Sequence, residues 1–209
     1  ELRTADRQLD VYQLGRIDYA AALAMQERLL EARMEDRVPD TLLILEHDPV
    51  ITLGTGARPE HVLGRRADLD ARGIGLFASG RGGDVTYHGP GQLVAYPIVA
   101  LAPGERDVGR YVWKLEEVMV QMAAAYRLPA RRLDGLRGVW IGDHKLGAVG
   151  VRFRRWIATH GLAFNVNVDL GAFGLIVPCG IRDRGVTSLA RELGRTIDMN
   201  EVSSLCIEI

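Results

Sequence analysis

Apolar and polar positions along the chain follow two periods, one typical of helices and one typical of strands. Helical spacing begins after Asp18 and again after Asp107, and each aspartate can cap the helix that follows it. Pro129 ends the second helix. The apolar positions that share a face are Tyr19, Ala22, Leu23, Leu29 and Leu30 in the first helix, and Val108, Tyr111, Val112, Leu115, Val118, Met119, Met122 and Ala123 in the second.

Short apolar runs outside these helices predict strands. They lie at 9–14, 41–47, 50–54, 74–80 and 93–101. A turn at Asp48-Pro49 joins the second of these strands to the third. Residues 138–170 predict three further strands in an antiparallel meander, with turns at Gly142-Asp143 and near Arg154-Arg155.

The order of the elements indicates the fold class. Strands arrive in runs, with helices between the runs and no strict alternation of strand and helix. At the end of the chain, residues 187–194 predict a short helix, and Asp198 with Glu201 predicts a capping box for a last one. We therefore expect an α+β fold with a mixed, largely antiparallel β-sheet flanked by helices, in a single domain spanning residues 1–209.

Composition and charge narrow the functional classes. Of the 209 residues 47% are hydrophobic and 25% charged, and no apolar run approaches the roughly 18 residues that span a bilayer. A net charge of −1 offers no basic field for nucleic acid. Two cysteines, without a secretory segment or paired-cysteine spacing, argue against disulfides and a metal site. We expect a cytoplasmic protein that binds neither nucleic acid nor membrane.

The densest glycine cluster is RGGDVTYHGPGQ, residues 81–92. Four glycines and a proline in so few positions give more backbone freedom than an ordinary strand or helix tolerates. Such a stretch suits a tight turn, and it equally suits a ligand that approaches the backbone where no Cβ stands in the way. The stretch alone leaves both interpretations open.

The two cysteines are the candidate nucleophiles. Cys206 lies with Val202, Leu205 and Ile209 at helical spacing, so we expect a small buried hydrophobic side chain there. Cys179 follows a proline and precedes a glycine, and a turn there can expose its sulfur beside unpaired backbone N–H groups. Such groups lower a thiol pKa and hold a developing oxyanion. A buried, inert cysteine is the open alternative.

A thiol nucleophile needs an activating group, which is usually histidine. No spacing relative to the nucleophile singles out one of the five histidines, His47, His61, His88, His144 and His160. Lys145 opens a predicted strand directly after a turn, where its ammonium could stabilise a thiolate or, if desolvated, its amine could take the proton of the thiol. A solvated turn lysine would explain the same position.

Small residues lie at 147–150 and again at 160–164, on strands that we expect to be neighbours. They could leave a slot that admits an unbranched apolar chain. Close packing of a helix against the sheet would require the same residues, so both interpretations stand.

The most specific signal is the joint occurrence, over roughly residues 40–195, of RGGDVTYHGPGQLVAYPI, GVWIGDHKLGAVGVR, THGLAFNVNVDL and IVPCGI. In this order the four segments resemble the lipoyl(octanoyl) transferase family. The resemblance implies a fold akin to the catalytic domains of lipoate and biotin protein ligases. It also implies transfer of an octanoyl group to a specific lysine of lipoyl domains, the first step of endogenous protein lipoylation, with no cofactor, metal or ATP.

The resemblance further implies roles for individual residues. Cys179 would accept the acyl group as a thioester, and Lys145 would lower the pKa of its thiol. A thioester and its acyl chain would approach the backbone at Gly82 and Gly83. The substrate site would be lined by Arg81, Gly82, Gly83, Asp84, Val85, Thr86, Tyr87, His88, Ala148, Val149, Gly150, Gly161, Leu162 and Ala163.

The same resemblance names the partners. The donor would be octanoyl-acyl carrier protein, and the acceptors would be lipoyl domains of 2-oxoacid dehydrogenase complexes and the glycine cleavage H protein, with the enzyme acting as a monomer. Because such partners are usually acidic, the arginine pairs at 65–66, 131–132 and 154–155 could steer docking. Solvated turns explain these pairs more simply.

Three other functions remain open. An ATP-dependent lipoate or biotin protein ligase would share the fold, although RGGDVTYHGPGQ is a poor match to a biotin-ligase adenylate loop. An amidotransferase that moves octanoyl between protein lysines would share the covalent cysteine. A binding module for acyl carrier or lipoyl domains would form complexes without any covalent intermediate.

Overall fold

The computed structural model describes residues 8–177 and 184–209, so Cys179 lies outside the described residues. The strands are β1 Leu9–Ile17, β2 Asp40–His47, β3 Val50–Leu53, β4 Gly75–Ala78, β5 Val85–His88, β6 Gln92–Ile98, β7 Arg131–Leu133, β8 Leu136–Ile141, β9 His144–Arg154, β10 Ile157–Asn165 and β11 Gly185–Val186. The helices are α1 Tyr19–Met34, α2 Arg66–Ala71, α3 Val108–Ala125, α4 Leu189–Leu193 and α5 Met199–Glu208. Across these ranges, no helix is long and apolar enough to cross a membrane.

The strands of the described ranges form two sheets. The larger has the order β1-β2-β6-β10-β9-β8-β7, with β11 paired to β9, and the smaller has the order β4-β3-β5. The pairs β1–β2, β3–β4 and β9–β11 are parallel, and the remaining pairs are antiparallel. The predicted mixed, largely antiparallel arrangement is therefore confirmed, as is the meander of β8, β9 and β10.

Helices cover both faces of the larger sheet. Successive residues of β2 point to opposite sides, so Leu43 and Leu45 pack in one core with α1, while Ile44 packs in another with α3 and α5. Cys206 on α5 belongs to that second core, which confirms the buried position expected for it. Burial raises the pKa of its thiol to about 12, so this cysteine is not an activated nucleophile.

The helix ends test the predicted caps. The carboxylate of Asp18 accepts from the N–H of Ala21 and that of Asp107 from the N–H of Arg110, so both predicted N-caps are confirmed. The prediction of a capping box on α5 is wrong. The carboxylate of Glu201 instead accepts a hydrogen bond at 2.8 Å from the hydroxyl of Tyr126, which directly follows α3, because α3 packs beside α5 and brings this partner within reach.

The predicted connection at Asp48-Pro49 is confirmed, and it joins β2 of the larger sheet to β3 of the smaller one. Two further local predictions need correction. Residues 81–92 include the strand β5, because the glycines flank it and leave Val85–His88 free to pair with β3. Val108 is 44% exposed although its spacing predicts a core position, since it is the first residue of α3.

Candidate active site

The loop that precedes β5 is held by backbone contacts on two sides. Gly82 donates its N–H to the carbonyl of Val151 in β9 at 2.9 Å, and the carbonyl of Gly83 accepts from Gly56 at 3.0 Å. Gly83 has φ +88°, and a Cβ on Gly54 would lie only 2.2 Å from the Gly83 oxygen. The glycines are thus required where two loops of the same chain meet, before any ligand is considered.

A cavity opens beside this loop, where β5, β9 and β10 come together. Gly150 lies opposite Gly161, and Ala148 opposite Ala163, so small side chains of neighbouring strands leave the space. The residues that line the cavity are Tyr19, Arg81, Gly83, Asp84, Val85, Thr86, His88, Tyr96, Ala148, Val149, Gly150, His160, Gly161, Leu162 and Ala163. Apart from Gly82 and Tyr87, every residue expected to line a substrate site is among them.

Gly82 and Tyr87 lie outside the cavity. Gly82 lines a neighbouring groove of about 630 Å³. Tyr87 alternates with Thr86 and His88 along β5, and its ring packs edge-on against Phe173 with the ring centroids 5.4 Å apart. The structure therefore places Tyr87 in the core beneath the smaller sheet rather than in the cavity.

Lys145 lies at the wall of the groove, in β9. It is only 5% exposed, so the solvated turn lysine is excluded, and its ammonium lies 4.8 Å from the centroid of the Trp140 ring. The groove and the cavity share Gly83, Asp84, Val149 and Gly150, so the two spaces are adjacent. Lys145 therefore lies on the wall of a groove that adjoins the cavity.

The small residues of β9 serve two purposes, because some allow close packing of a helix and others leave open space. A Cβ on Gly147 would lie 2.4 Å from the sulfur of Met119, so this glycine serves close packing of α3 on the sheet. Ala148 and Gly150 instead line the cavity. Packing and an open slot therefore occur side by side on one strand.

Two buried histidines, His88 and His160, line the cavity, and a third, His47, lies behind His88 with the ring centroids 5.6 Å apart. Burial lowers the pKa of His47 and lowers that of His88 well below its ordinary value. Burial, followed by the positive charges of Arg81 and Arg152, lowers the pKa of His160 to about 4. All three imidazoles are consequently neutral near pH 7, and the rings of His47 and His88 make hydrogen bonds.

The charged residues of the cavity wall hold the loop in place. The guanidinium of Arg81 donates to the carbonyl of Thr52 at 2.8 Å and to that of Gly82 at 3.1 Å. The carboxylate of Asp84 accepts from Nδ1 of His61. Both side chains thus fix the backbone that faces the cavity, which keeps the site preorganised.

Sequence reasoning missed three residues of the cavity wall, Tyr19, Tyr96 and His160. The sequence predicts Tyr19 on the core face of a helix and Tyr96 within a strand, and the structure buries both residues. His160 was considered only as a thiol activator. Its φ of +56°, unusual for a residue within a strand, turns it toward the cavity, and no sequence pattern announces that conformation.

The arginine pairs at 65–66 and 131–132 make contacts within the described chain. Arg65 and Arg66 form ion pairs with aspartates one turn later on α2. The guanidinium of Arg132 lies 4.2 Å from the centroid of the Trp113 ring. These contacts favour the simpler interpretation of the pairs as surface features.

Two curated proteins resemble this chain over nearly its whole length. An octanoyltransferase from Chloroflexus aggregans is 54% identical over 204 residues, covering 96% of this chain and 92% of the relative. An octanoyltransferase from Desulforamulus reducens is 48% identical over 195 residues, covering 93% of this chain and 86% of the relative.

Solved structures of low sequence identity share the fold. A lipoate-protein ligase A bound with ATP superposes with a TM-score of 0.75 at 18% identity, covering 96% of this chain and 82% of that one. A biotin protein ligase from Aquifex aeolicus gives a TM-score of 0.53 at 19% identity, covering 96% and 66%. The expected ligase-like fold is confirmed.

The model of the lipoyl protein ligase A/B catalytic domain matches residues 18–209. This span contains every element from α1 to α5 and the whole cavity. The chain therefore belongs to the lipoyl protein ligase A/B catalytic domain family.

Proposed function

We propose that the chain is an acyltransferase that moves an octanoyl group from octanoyl-acyl carrier protein to a lysine of lipoyl domains, through a thioester on Cys179. The observation that carries this proposal is the agreement between close relatives named octanoyltransferase and a cavity formed by small residues of two paired strands. An unbranched acyl chain is the substrate that such a cavity suits.

The chain on either side of Cys179 supports its assignment as nucleophile. Val177, the last residue described before it, donates its N–H to the carbonyl of His61, whose ring contacts Asp84 of the cavity wall. After it, β11 pairs with β9 so that Val186 lies opposite Lys145. The segment that carries Cys179 is thus joined to the described chain at two places that adjoin the site.

The reaction follows as two acyl transfers. The Cys179 thiolate attacks the carbonyl carbon of the octanoyl thioester, a new carbon–sulfur bond forms, and the carrier leaves as a thiol with the proton that Cys179 gave up. The neutral amine of the target lysine then attacks the enzyme thioester. An amide bond forms, and Cys179 recovers a proton from the attacking nitrogen. Both steps pass through tetrahedral oxyanions that backbone N–H groups can stabilise.

Lys145 would assist both steps through its charge. A buried ammonium beside a thiol favours the thiolate, because Coulombic attraction is stronger where water is excluded. In the second step, the same charge would stabilise Cys179 as leaving group. We further propose that the enzyme is a cytoplasmic monomer, that residues 1–209 form one catalytic domain, and that its acceptors are lipoyl domains of 2-oxoacid dehydrogenase complexes and the glycine cleavage H protein.

The direct test is intact-protein mass spectrometry after mixing with octanoyl-acyl carrier protein in the absence of ATP. We expect one octanoyl adduct, located at Cys179 by peptide mapping and discharged by added lipoyl domain. Cys179→Ser should lose turnover and keep its fold. Cys206→Ala is the matched control, because it removes the buried cysteine, and it should still form the adduct.

Other outcomes would favour the competing functions. Turnover only with free fatty acid and ATP would replace the proposal with a ligase. A stable complex with the carrier but no covalent adduct would indicate a binding module. An adduct formed from octanoylated protein lysines, and not from the carrier, would indicate an amidotransferase.

A further inference from the structure

A buried chain of hydrogen bonds connects the cavity wall to the strand that carries Lys145. Nδ1 of His88 lies 2.7 Å from Oε1 of Gln92, and Nε2 of Gln92 donates to Oδ1 of Asn165 at 3.0 Å. Nδ2 of Asn165 then donates to the carbonyl of Thr187 at 3.0 Å. All four residues are buried.

Two backbone carbonyls fix the direction of this chain, because a carbonyl can only accept. The Thr187 carbonyl requires the Asn165 amide nitrogen on its side, which leaves Oδ1 of Asn165 facing Gln92. The Tyr87 carbonyl, 3.2 Å from Nε2 of Gln92, likewise requires the nitrogen there. Oε1 of Gln92 therefore faces His88, and the proton of the neutral imidazole must lie on Nδ1. Nε2 of His88 is left as an acceptor.

The other end of the hydrogen-bond chain reaches the backbone of Lys145. Thr187 uses both of its backbone polar groups there: its carbonyl accepts from Asn165, and its N–H donates to the carbonyl of Lys145 at 2.9 Å. Thr187 directly follows β11, the first strand that the structure describes after Cys179. Asn165 therefore fixes the returning chain against β9 at the position of Lys145.

We propose that Asn165 is a positioning residue for acyl transfer, which holds the chain after Cys179 against Lys145 and, through Gln92, sets the tautomer of His88 at the cavity wall. This inference rests on the proposed acyltransferase function. Neither Asn165 nor Gln92 needs to touch the reacting atoms. Their effect is geometric, and a displacement of about 1 Å at a reacting group can cost roughly 100-fold in rate.

The test compares two asparagines of the same segment. Asn165→Asp keeps the size and the acceptor oxygen but replaces the Nδ2 donor, so an oxygen faces the Thr187 carbonyl. Asn167→Asp makes the same change two residues later, where Asn167 donates to the carbonyl of Ile197 at 2.8 Å, away from Lys145 and the cavity. A merely structural role predicts similar losses in both variants.

We expect Asn165→Asp to lower kcat for octanoyl transfer by at least about 30-fold, with KM for the lipoyl domain changed less than about threefold. Asn167→Asp should keep kcat within about threefold of the original enzyme. Equal kcat values for the two variants, corrected for the folded fraction, would overturn the inference. Absence of any Cys179 adduct in the unaltered enzyme would instead overturn the proposed function itself.

A second measurement reads the direction of the hydrogen-bond chain in the unaltered enzyme. Long-range proton–nitrogen correlation spectra of the unaltered enzyme, with the His88 signals assigned from a His88→Gln variant, report which ring nitrogen carries the proton. We expect a protonated Nδ1 and a bare Nε2. A proton on Nε2 would mean that the chain runs in the opposite direction, and the positioning role assigned to Asn165 would be withdrawn.

Discussion

Lys145 shows how far a single position can be understood from its neighbours in sequence. A lysine directly after a turn is ordinarily solvated, yet this one is buried beside Trp140, on a strand that pairs with β11. Because β11 lies far along the chain, no local pattern predicts these surroundings. The same holds for His160, whose conformation and environment come from distant residues.

Replacing Lys145 by Ala tests the charge that we assign to it. Loss of the ammonium should shift the pH midpoint of Cys179 alkylation by iodoacetamide upward by about one unit, because the thiolate loses its nearby positive charge. Peptide mapping follows the rate at Cys179 alone. Lys114→Ala removes an exposed lysine of α3 and is the control. An unchanged midpoint in the first variant would remove Lys145 from the mechanism.

Helices and strands were easier to predict than the pairing of strands into sheets. The caps at Asp18 and Asp107 and the spacing after them depend on residues within one turn, so both long helices follow directly from the sequence. The division of β2 and β3 between two sheets depends on β6 and β5, which follow much later. Local periodicity carries no information about such pairings.

Packing of α3 on β9 gives a prediction at the scale of elements. Gly147→Ala places a methyl group against the sulfur of Met119, which is fully buried, so the free energy of unfolding should fall by about 1–3 kcal/mol. Denaturant titration measures the change. Gly104→Ala adds the same methyl group where no atom lies within 4 Å, and it should change stability by less than about 0.5 kcal/mol. Equal effects would contradict the packing argument.

Ala148, the next residue of β9, should affect activity rather than stability when it is enlarged. Ala148 lines a cavity of about 50 Å³, small enough for a leucine side chain at this position to fill. We expect Ala148→Leu to lower kcat/KM for octanoyl transfer at least about tenfold, while Tm changes by only a few degrees. Rates with butanoyl and octanoyl carrier thioesters, compared side by side, should show a smaller loss for the shorter chain. Equal losses for both would show that the cavity does not hold the acyl tail.

At the scale of the molecule, the fold class was predictable and the site was predictable only in part. Strands in runs, with few helices between them, led to the α+β arrangement that the two sheets display. The resemblance of four segments supplied most of the cavity, because three of those segments contain β5 and most of β9 and β10, which meet in space. Residues outside them, such as Tyr19 on α1, join the site only through the tertiary structure.

The buried histidines predict how the whole molecule responds to acid. His160 has a folded pKa of about 4, whereas an unfolded chain has about 6.5, so the unfolded state binds its proton first. The stability that depends on neutral His160 is therefore fully present above about pH 6.5 and is lost as pH falls toward about 4. At pH 5, protonation of His160 in the unfolded state lowers the free energy of unfolding by about 2 kcal/mol.

His160→Asn removes this titration and keeps a side chain that tolerates the φ of +56°. The fall in Tm between pH 7.5 and pH 5 should be smaller for the variant by several degrees, measured by scanning calorimetry. The variant should still lose some stability in acid, because His47 and His88 remain buried with lowered pKa values. An identical fall in both proteins would show that His160 accepts a proton in the folded state as readily as in the unfolded chain.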